Sequence, residues 1–284
     1  MENYSEELKV ALEGLKSSNP QERRSAVETI GFSGEITEHV AKLLVSRLAD
    51  TDKGVRDAVS VALINLDNPM IGALVVPFVS STDISIRNLA GEVLLKKGLS
   101  IVNDMLDYLD KGDDDDKKFI IDILGLIGDQ TPATKILEIL HSTENENVVL
   151  ACIEALGNIK CEQGVAEIIK FYTVSELYSP TIIEALGKIG SDEALQFIMQ
   201  KFHDVDELTK FSMIESFGLI GNEESFFLIL SDLRNLNGPT AWAAVETLNM
   251  LKDKLSLDVP YDEHMKNAIL KTLNEGDVRF KRAA

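Results

Sequence analysis

Carboxylate side chains recur at nearly constant spacing along the sequence and could bind cationic groups. They occupy one position of a repeated segment in seven of its eight copies, and Val61 is the exception. The seven residues are Glu28, Glu92, Asp122, Glu154, Glu184, Glu215 and Glu246. If this position lies on one side of the folded chain, the carboxylates form a row that attracts positive charge. Since glutamate also favours helix formation, a solvated helix surface is the alternative interpretation.

Apolar and aromatic residues flank the carboxylate position in the last copies of the repeat. They are Phe211, Leu219, Trp242 and Met250. Each lies four residues before or after Glu215 or Glu246, and residues at this spacing share one side of a helix. Exposed apolar residues beside carboxylates suit a basic amphipathic helix or an extended peptide, with the apolar side chains supplying affinity and the carboxylates steering the ligand. Alternatively, the four residues pack against a neighbouring helix or a further repeat.

Catalytic and metal-binding patterns have little support. The sequence contains no His-Glu pair, and His141 and His203 lie two repeats apart, too far to share a metal ion. Cys152 falls at an apolar position that indicates a small buried residue, and Cys161 follows in a turn with no histidine near it in sequence. We therefore predict no catalytic residue, no metal ligand and no cofactor.

Four consecutive aspartates, residues 113–116, form the most acidic run. They lack the ligand spacing of a calcium loop. We expect them to cap the helix that follows, where negative charge is favourable, with a loose divalent-cation site as the less favoured alternative.

The charge balance argues against nucleic acids and membranes as partners. The sequence has 28 lysines and arginines against 47 aspartates and glutamates, a formal net charge of −19. This charge repels phosphate backbones and anionic lipid head groups. The acidic N-terminus lacks the order of a secretory signal, and no apolar run reaches about 18 residues. With only two cysteines, the sequence predicts a soluble cytoplasmic protein.

The repeated segment predicts a chain of stacked helical hairpins. Its clearest copies are residues 153–159, 183–190 and 214–221, and successive copies end 30 to 33 residues apart. Apolar residues in each copy are spaced as on one face of an α-helix, and a second helical pattern lies between copies. Glycine at most copy ends is typical of a helix C-terminus. Because neither helix can bury its apolar face alone, the hairpins must stack into an all-α solenoid.

Residues 55–63 and 86–87, together with the Glu-Ala-Leu-Gly stretches after Ile153 and Ile183, resemble HEAT repeats. The similarity is to the short repeats of phycobilisome-lyase-like proteins and covers residues from about 20 to 252. It implies a superhelix of about nine hairpins whose second helices line a concave surface. The family includes adaptors, lyases, hydroxylases and glycosylases, so the resemblance alone does not define a function.

The predicted organisation follows the repeats. Residues 1–252 form the solenoid with about eight repeats, and residues 253–284 begin a further one. Residues 261–273 are predicted as its first helix and residues 276–284 as the start of its second, so we expect the natural chain to continue past Ala284. Within the solenoid, Pro180 is expected in the first turn of a helix, and Pro77 is expected to kink or shorten its helix.

These observations predict a non-enzymatic interaction scaffold that binds a basic peptide or helix on an acidic, partly apolar concave face. The predicted binding residues are Glu154, Glu184, Glu215, Glu246, Phe211, Leu219, Trp242 and Met250. The partner is a protein, as in an assembly or signalling adaptor of a bacterial operon, and the oligomeric state stays open. The alternative function, implied by the resemblance, is bilin attachment or chaperoning, although a row of carboxylates disfavours the anionic propionates of a bilin.

Overall fold

The computed structural model describes residues 4–203, 205–259 and 263–283. Within these ranges the chain forms eighteen α-helices joined by turns and short 3-10 helices, and no strand. The chain divides into two units, Met1–Val148 and Val149–Ala284. The all-α prediction is therefore confirmed.

The helices alternate as the repeat predicts. Unit 1 contains α1 (Glu6–Gly14), α2 (Pro20–Phe32), α3 (Glu38–Ser46), α4 (Lys53–Asn65), α5 (Ile71–Val75), α6 (Ile84–Lys97), α7 (Val102–Leu109), α8 (Asp114–Ile127) and α9 (Ala133–Ser142). The boundary between the units falls within α10 (Glu146–Asn158). Unit 2 continues with α11 (Val165–Phe171), α12 (Ser179–Ile189), α13 (Asp192–Lys201), α14 (Glu207–Ile220), α15 (Glu223–Asp232), α16 (Gly238–Leu255), α17 (Glu263–Glu275) and α18 (Val278–Ala283).

Even-numbered helices are the second helices of the hairpins, and within each unit they pack in succession. In unit 1, α4 lies between α2 and α6, and α6 also contacts α8; in unit 2, α14 lies between α12 and α16. The fully buried core side chains of these helices include Ile30, Leu63, Leu94, Leu124, Leu186 and Phe217. Burial of each such side chain contributes roughly 1.5–3 kcal/mol. This arrangement of hairpins is the predicted solenoid.

Aspartates cap the N-termini of several second helices. Asp52, Asp83, Asp113 and Asp206 each precede a helix and accept a hydrogen bond from a backbone N–H in its first turn. These caps satisfy N–H groups that have no partner inside the helix. The run of four aspartates therefore caps α8, as the sequence predicts.

Glycines with a positive φ follow several second helices, and those after α8 and α12 have the predicted left-handed conformation. They are Gly34, Gly98, Gly128 and Gly190, with φ between +59° and +82°. Gly221 was also expected to have a positive φ, but it has φ −59° and ψ 151°. A Cβ there would lie 2.3 Å from the carbonyl oxygen of Phe217, so a lack of space, and not a positive φ, requires glycine at this position.

Both prolines act as predicted. Pro180 lies in the first turn of α12, where its missing N–H leaves no hydrogen bond unmade. The helix that approaches Pro77 ends at Val75, and the chain continues as a 3-10 helix over Val76–Ser80. The predicted helix at 261–273 is α17, which begins at Glu263; residues 260–262 lie outside the described residues.

A buried ion pair joins successive layers of unit 1. The Nε and Nη2 atoms of Arg23 donate to the Asp50 carboxylate at 2.9 and 2.7 Å, which links α2 to the loop before α4. From the next layer, Arg56 donates to the Asp50 carbonyl oxygen at 2.9 Å. Burial raises the pKa of Asp50, but hydrogen bonds from Arg23 and from the Asp52 backbone outweigh this effect and hold the pKa below its ordinary value. Asp50 is therefore ionised in the folded state.

None of the helices in the described residues is long and apolar enough to cross a lipid bilayer.

Candidate partner-binding surface

Small residues and hydroxyl groups set the alignment of the second helices in unit 2. The Ser216 hydroxyl of α14 donates to the Ile183 carbonyl of α12 at 3.1 Å, and the Thr247 hydroxyl of α16 donates to the Ile214 carbonyl of α14, also at 3.1 Å. The approach is close, since a Cβ on Gly187 would lie 2.5 Å from the Ser216 hydroxyl oxygen. Ser216 and Thr247 each directly follow a glutamate of the predicted row, so these glutamates occupy equivalent positions on adjacent helices.

Two glutamates of the row converge on one cation. The Nη2 atom of Arg279, in α18, lies 2.9 Å from Glu215 Oε1 and 2.7 Å from Glu246 Oε2. The Nε atom of Arg279 also donates to Glu246 Oε1 at 3.1 Å. The hydrogen bond to Glu246 is the main cause that raises the pKa of Arg279, and this guanidinium is positively charged.

The other two predicted glutamates lie on the same row without sharing this cation. Glu154 and Glu184 are both exposed. Glu184 forms an ion pair with Lys188 of its own helix at 2.7 Å. Ion pairs of this exposed kind contribute little to stability, which leaves the carboxylate available to other cations.

Trp242 and Phe211 are partly buried. The ring of Phe280, from α18, covers Trp242 with 6.1 Å between ring centroids and 49° between the planes. Phe280 is itself buried, whereas the indole N–H of Trp242 is buried without a hydrogen-bond partner among the described residues. We call Phe211, Glu215, Trp242 and Glu246 the acidic-aromatic surface.

Leu219 and Met250 lie in solvent to a large extent, with exposed fractions of 59% and 45%. Packing against a neighbouring helix or a further repeat, the alternative interpretation, applies in part to Met250, which contacts α14, and to Trp242, which contacts Phe280 of α18. Met250 lies over Gly218, since its Cε atom would be 3.5 Å from a Cβ at that glycine. Leu219 also lines a shallow depression together with Lys188 and Lys254, at the C-terminal ends of α12 and α14.

The same carboxylate position behaves differently in unit 1. Glu28 pairs with Arg24 at 2.9 Å, and Asp122 pairs with Lys118 at 2.5 Å, in each case within one helix. Glu28 and Asp122 thus meet cations four residues away, as Glu184 does and as on an ordinary solvated helix. Convergence of two carboxylates on a cation from another helix is a property of α14 and α16.

Arg279 and Phe280 are the contact residues that the sequence did not point to. Residues 276–284 indicate only the start of another second helix, and the pattern gives no partner for their side chains. Their residue types could have indicated the contact. Arg279 and Phe280 are adjacent in a basic segment, and a basic segment is the type of ligand predicted for the row of carboxylates. Among the described residues, no group of three or more histidine, cysteine, aspartate or glutamate side chains is placed to hold a metal ion.

No protein-family model matches the sequence, and no curated protein matches it. Solved structures that resemble the chain include an engineered protein, with 15% identity over 98% of this chain and 87% of that one and a TM-score of 0.46. The complex of CpcE and CpcF of phycocyanin lyase from Nostoc sp. PCC7120 has 14% identity over 98% of this chain and 97% of that one, with a TM-score of 0.42. Human deoxyhypusine hydroxylase in complex with glycerol has 14% identity over 87% and 84% of the two chains, with a TM-score of 0.38. Similarity at this level assigns no function to the chain.

Proposed function

We propose that this protein is a non-enzymatic interaction scaffold whose acidic-aromatic surface binds a basic segment of a partner protein. The observation that carries this proposal is the placement of one guanidinium between Glu215 and Glu246, with an aromatic ring on Trp242 beside it. The surface therefore accommodates a cation and an apolar anchor side by side, which is the chemistry predicted for the partner.

Contact with Arg279 leaves the two carboxylates partly buried. In this contact the Glu246 side chain is 17% exposed and that of Glu215 is 36% exposed. Salt screens such charges less than it screens fully exposed ones. Two carboxylates that share one guanidinium also fix its position, and an aromatic ring that packs on Trp242 adds apolar contact, the type of contact that dominates binding hot spots.

Exposed residues of the row extend the surface beyond the two central helices. Glu154 on α10 and Glu184 on α12 continue the line of carboxylates, and Leu219 and Met250 present apolar side chains on α14 and α16. A partner segment longer than one helical turn can thus place further basic residues along the row. The repeated carboxylates supply steering, and the residues near Trp242 supply most of the affinity.

A defined peptide tests this proposal. The probe is a fluorescently labelled peptide with the sequence of residues 276–284, which carries the Arg-Phe pair, and its binding to the full chain is measured by fluorescence anisotropy. We expect Glu215→Gln/Glu246→Gln to weaken binding by about tenfold or more, because both charge-assisted contacts are lost. The matched control is Glu28→Gln/Glu92→Gln, which alters the same repeat position in unit 1 and should leave the affinity unchanged.

Two outcomes would contradict the proposal. One is equal affinity of the wild type and the Glu215→Gln/Glu246→Gln variant for the probe. The other is the lack of any detectable binding, even in a variant whose α18 no longer contacts the surface. Bilin attachment, the alternative that the family resemblance implies, stays a prediction.

A further inference from the structure

We propose that a depression at the C-terminal ends of α10, α12 and α14 binds a carboxylate of the partner segment whose basic residues meet the row of glutamates. Lys160, Lys188 and Lys254 line it together with Leu219 of the predicted binding residues, and we call it the lysine depression. Its volume is about 580 Å³. This inference rests on the proposed function and specifies the partner, whose segment carries acidic residues beside its basic ones.

The lining of the lysine depression has a charge opposite to that of the whole chain. The sequence has 47 acidic and 28 basic residues, yet the described residues that line the depression include three lysines and no carboxylate. Glu184 pairs with Lys188 at 2.7 Å from one turn earlier on α12, which offsets one of the three charges. The lining therefore attracts anionic groups, in contrast to the rest of a chain with a net charge of −19.

The backbone at Lys160 indicates that this side chain serves a ligand. Lys160 has φ +55°, in the left-handed region that Gly128 and Gly190 adopt after α8 and α12. This conformation is unfavourable for a residue with a Cβ but not for glycine. The Lys160 side chain is exposed, so packing does not offset the cost. A lysine at a position that suits glycine thus points to a role for its ammonium group in binding.

Hydrogen bonds hold the other two ammonium groups at the depression. Lys188 Nζ donates to Asn158 Oδ1 at 2.9 Å, which links α12 to α10. Lys254 Nζ donates to the carbonyl oxygens of Leu219 and Gly221 at 3.1 and 3.3 Å, at the end of α14. An ammonium group has three N–H donors, and with the ion pair of Lys188 inside its own helix each of these two lysines uses two. One N–H of each remains for a ligand, and a side chain that is already ordered loses little entropy on binding.

The helix ends around the depression favour a carboxylate that belongs to the partner over a free anion. The last carbonyl groups of a helix carry partial negative charge, which disfavours a small anion from solution. A carboxylate on a segment that is already bound through its basic residues is present at a high effective concentration. The ligand of the depression is therefore part of the partner segment.

The position of the depression relative to the glutamate row sets the spacing of charges in the partner. Lys188 lies four residues after Glu184 of the row. Gly221, whose carbonyl oxygen accepts from Lys254, lies six residues after Glu215. At 1.5 Å per residue, the depression is about 6–9 Å further along the helices. An extended segment covers this distance in about two to three residues, so its acidic residue lies that far from the basic residue that meets the row.

The test measures whether a carboxylate at this spacing strengthens binding of the labelled peptide of residues 276–284. Arg282→Glu is compared with Arg282→Gln in the peptide, three positions after Arg279, and the unchanged peptide with Asp277→Asn, two positions before it. Arg279→Ser in the full chain, which leaves Glu215 and Glu246 to the peptide, is the background, and fluorescence anisotropy measures the affinity.

We expect the carboxylate member of one pair to bind about fivefold more tightly than its amide counterpart, and that pair shows the direction in which the segment binds. Long-range repulsion by a chain with a net charge of −19 acts in the opposite sense. A gain of affinity from an added negative charge therefore requires local contact with cations.

Lysine variants show whether the gain comes from the depression. Lys160→Gly and Lys254→Gln should each reduce it to about twofold or less. Lys252→Gln is the matched control, because it removes an exposed charge of α16 outside the described lining, and it should leave the gain unchanged. Lys160→Gly should also leave the melting temperature unchanged or raise it, because glycine suits a positive φ. Circular dichroism measures the melting temperature and verifies that each variant is folded.

The outcomes separate this inference from the proposed function. If the peptides bind through Glu215 and Glu246 but neither carboxylate increases the affinity, or the gain persists in both lysine variants, the inference is wrong and the proposed function stands. A lower melting temperature of Lys160→Gly would assign Lys160 to the stability of the fold and contradict its role in binding. Loss of the gain in millimolar inorganic phosphate, but not in sodium chloride of equal ionic strength, would show a site for free anions and overturn the inference. If no peptide binds, both are wrong.

Discussion

Asp50 joins two layers of unit 1 through its charge. Its carboxylate is nearly buried and accepts two hydrogen bonds from Arg23, so the ionised form is favoured in the folded state. Its pKa is held below the ordinary value of 3.8. A carboxylate with a lowered pKa contributes stability that is fully present above the unfolded-state pKa and is lost as the pH falls through the folded-state pKa.

The corresponding prediction concerns Asp50→Asn. At neutral pH we expect the variant to melt several degrees below the wild type, because Arg23 keeps a buried charge with no counter-charge from residue 50. The difference should begin to shrink below about pH 4, where residue 50 of the unfolded wild type takes up a proton, and should be lost as the pH falls through the lower folded-state pKa of Asp50. Thermal unfolding followed by circular dichroism across pH measures this. Asp57→Asn, which alters a half-exposed aspartate of α4 paired with Lys53, should change the melting temperature little. A difference between Asp50→Asn and the wild type that stays constant at all pH values would argue against the role of Asp50.

At the scale of elements, glycines allow the second helices of unit 2 to approach closely. A Cβ at Gly157 would lie 2.7 Å from the Cα atom of Ala185, on backbone that cannot move aside easily. The equivalent glycine of α14, Gly218, has more room, because the nearest atom to its Cβ would be Met250 Cε at 3.5 Å. The equivalent glycines of α10 and α14 thus differ in how closely the next helix packs against them.

We therefore predict opposite effects for two equivalent substitutions. Gly157→Ala should lower the free energy of unfolding by about 1–3 kcal/mol through overpacking. Gly218→Ala should be neutral or stabilising by up to about 1 kcal/mol, since alanine favours the helix and fits the space. Urea unfolding measures both. Equal losses of stability in the two variants would contradict the difference in helix spacing at the two glycines.

The sequence predicts the helices and turns well because every repeat has the same pattern of apolar residues, and most repeats end in glycine. Apolar spacing predicts the hairpins, glycine predicts the turns after α8 and α12, and Pro77 predicts the short α5. Gly221 is an exception, because its φ is negative and the nearby Phe217 carbonyl oxygen, a contact that the sequence does not reveal, requires glycine there. The placement of Arg279 could not be predicted, since the regular spacing ends after Lys252 and the contact depends on how α18 packs on α16.

At the scale of the molecule, the net charge of −19 acts on every cationic ligand. Long-range attraction raises the association rate of a basic segment, whereas the contacts at Trp242 govern its dissociation. We expect the association rate of the peptide of residues 276–284 to fall steeply between 0.05 and about 0.5 M salt, as screening shortens to a few ångströms, with a much smaller change in the dissociation rate. Stopped-flow fluorescence separates the two rates. A salt effect confined to dissociation would contradict this division of roles.

We expect the acidic-aromatic surface to hold an arginine of a basic segment directly between two carboxylates. A double-mutant cycle tests this, with the Arg279→Ser protein as background. Glu246→Gln on the protein is combined with glutamine in place of Arg279 in the peptide of residues 276–284, with Arg282 of the peptide kept. The expected coupling free energy between the two changes is about 1 kcal/mol or more. Additive effects, with a coupling indistinguishable from zero, would show that the arginine and Glu246 do not meet.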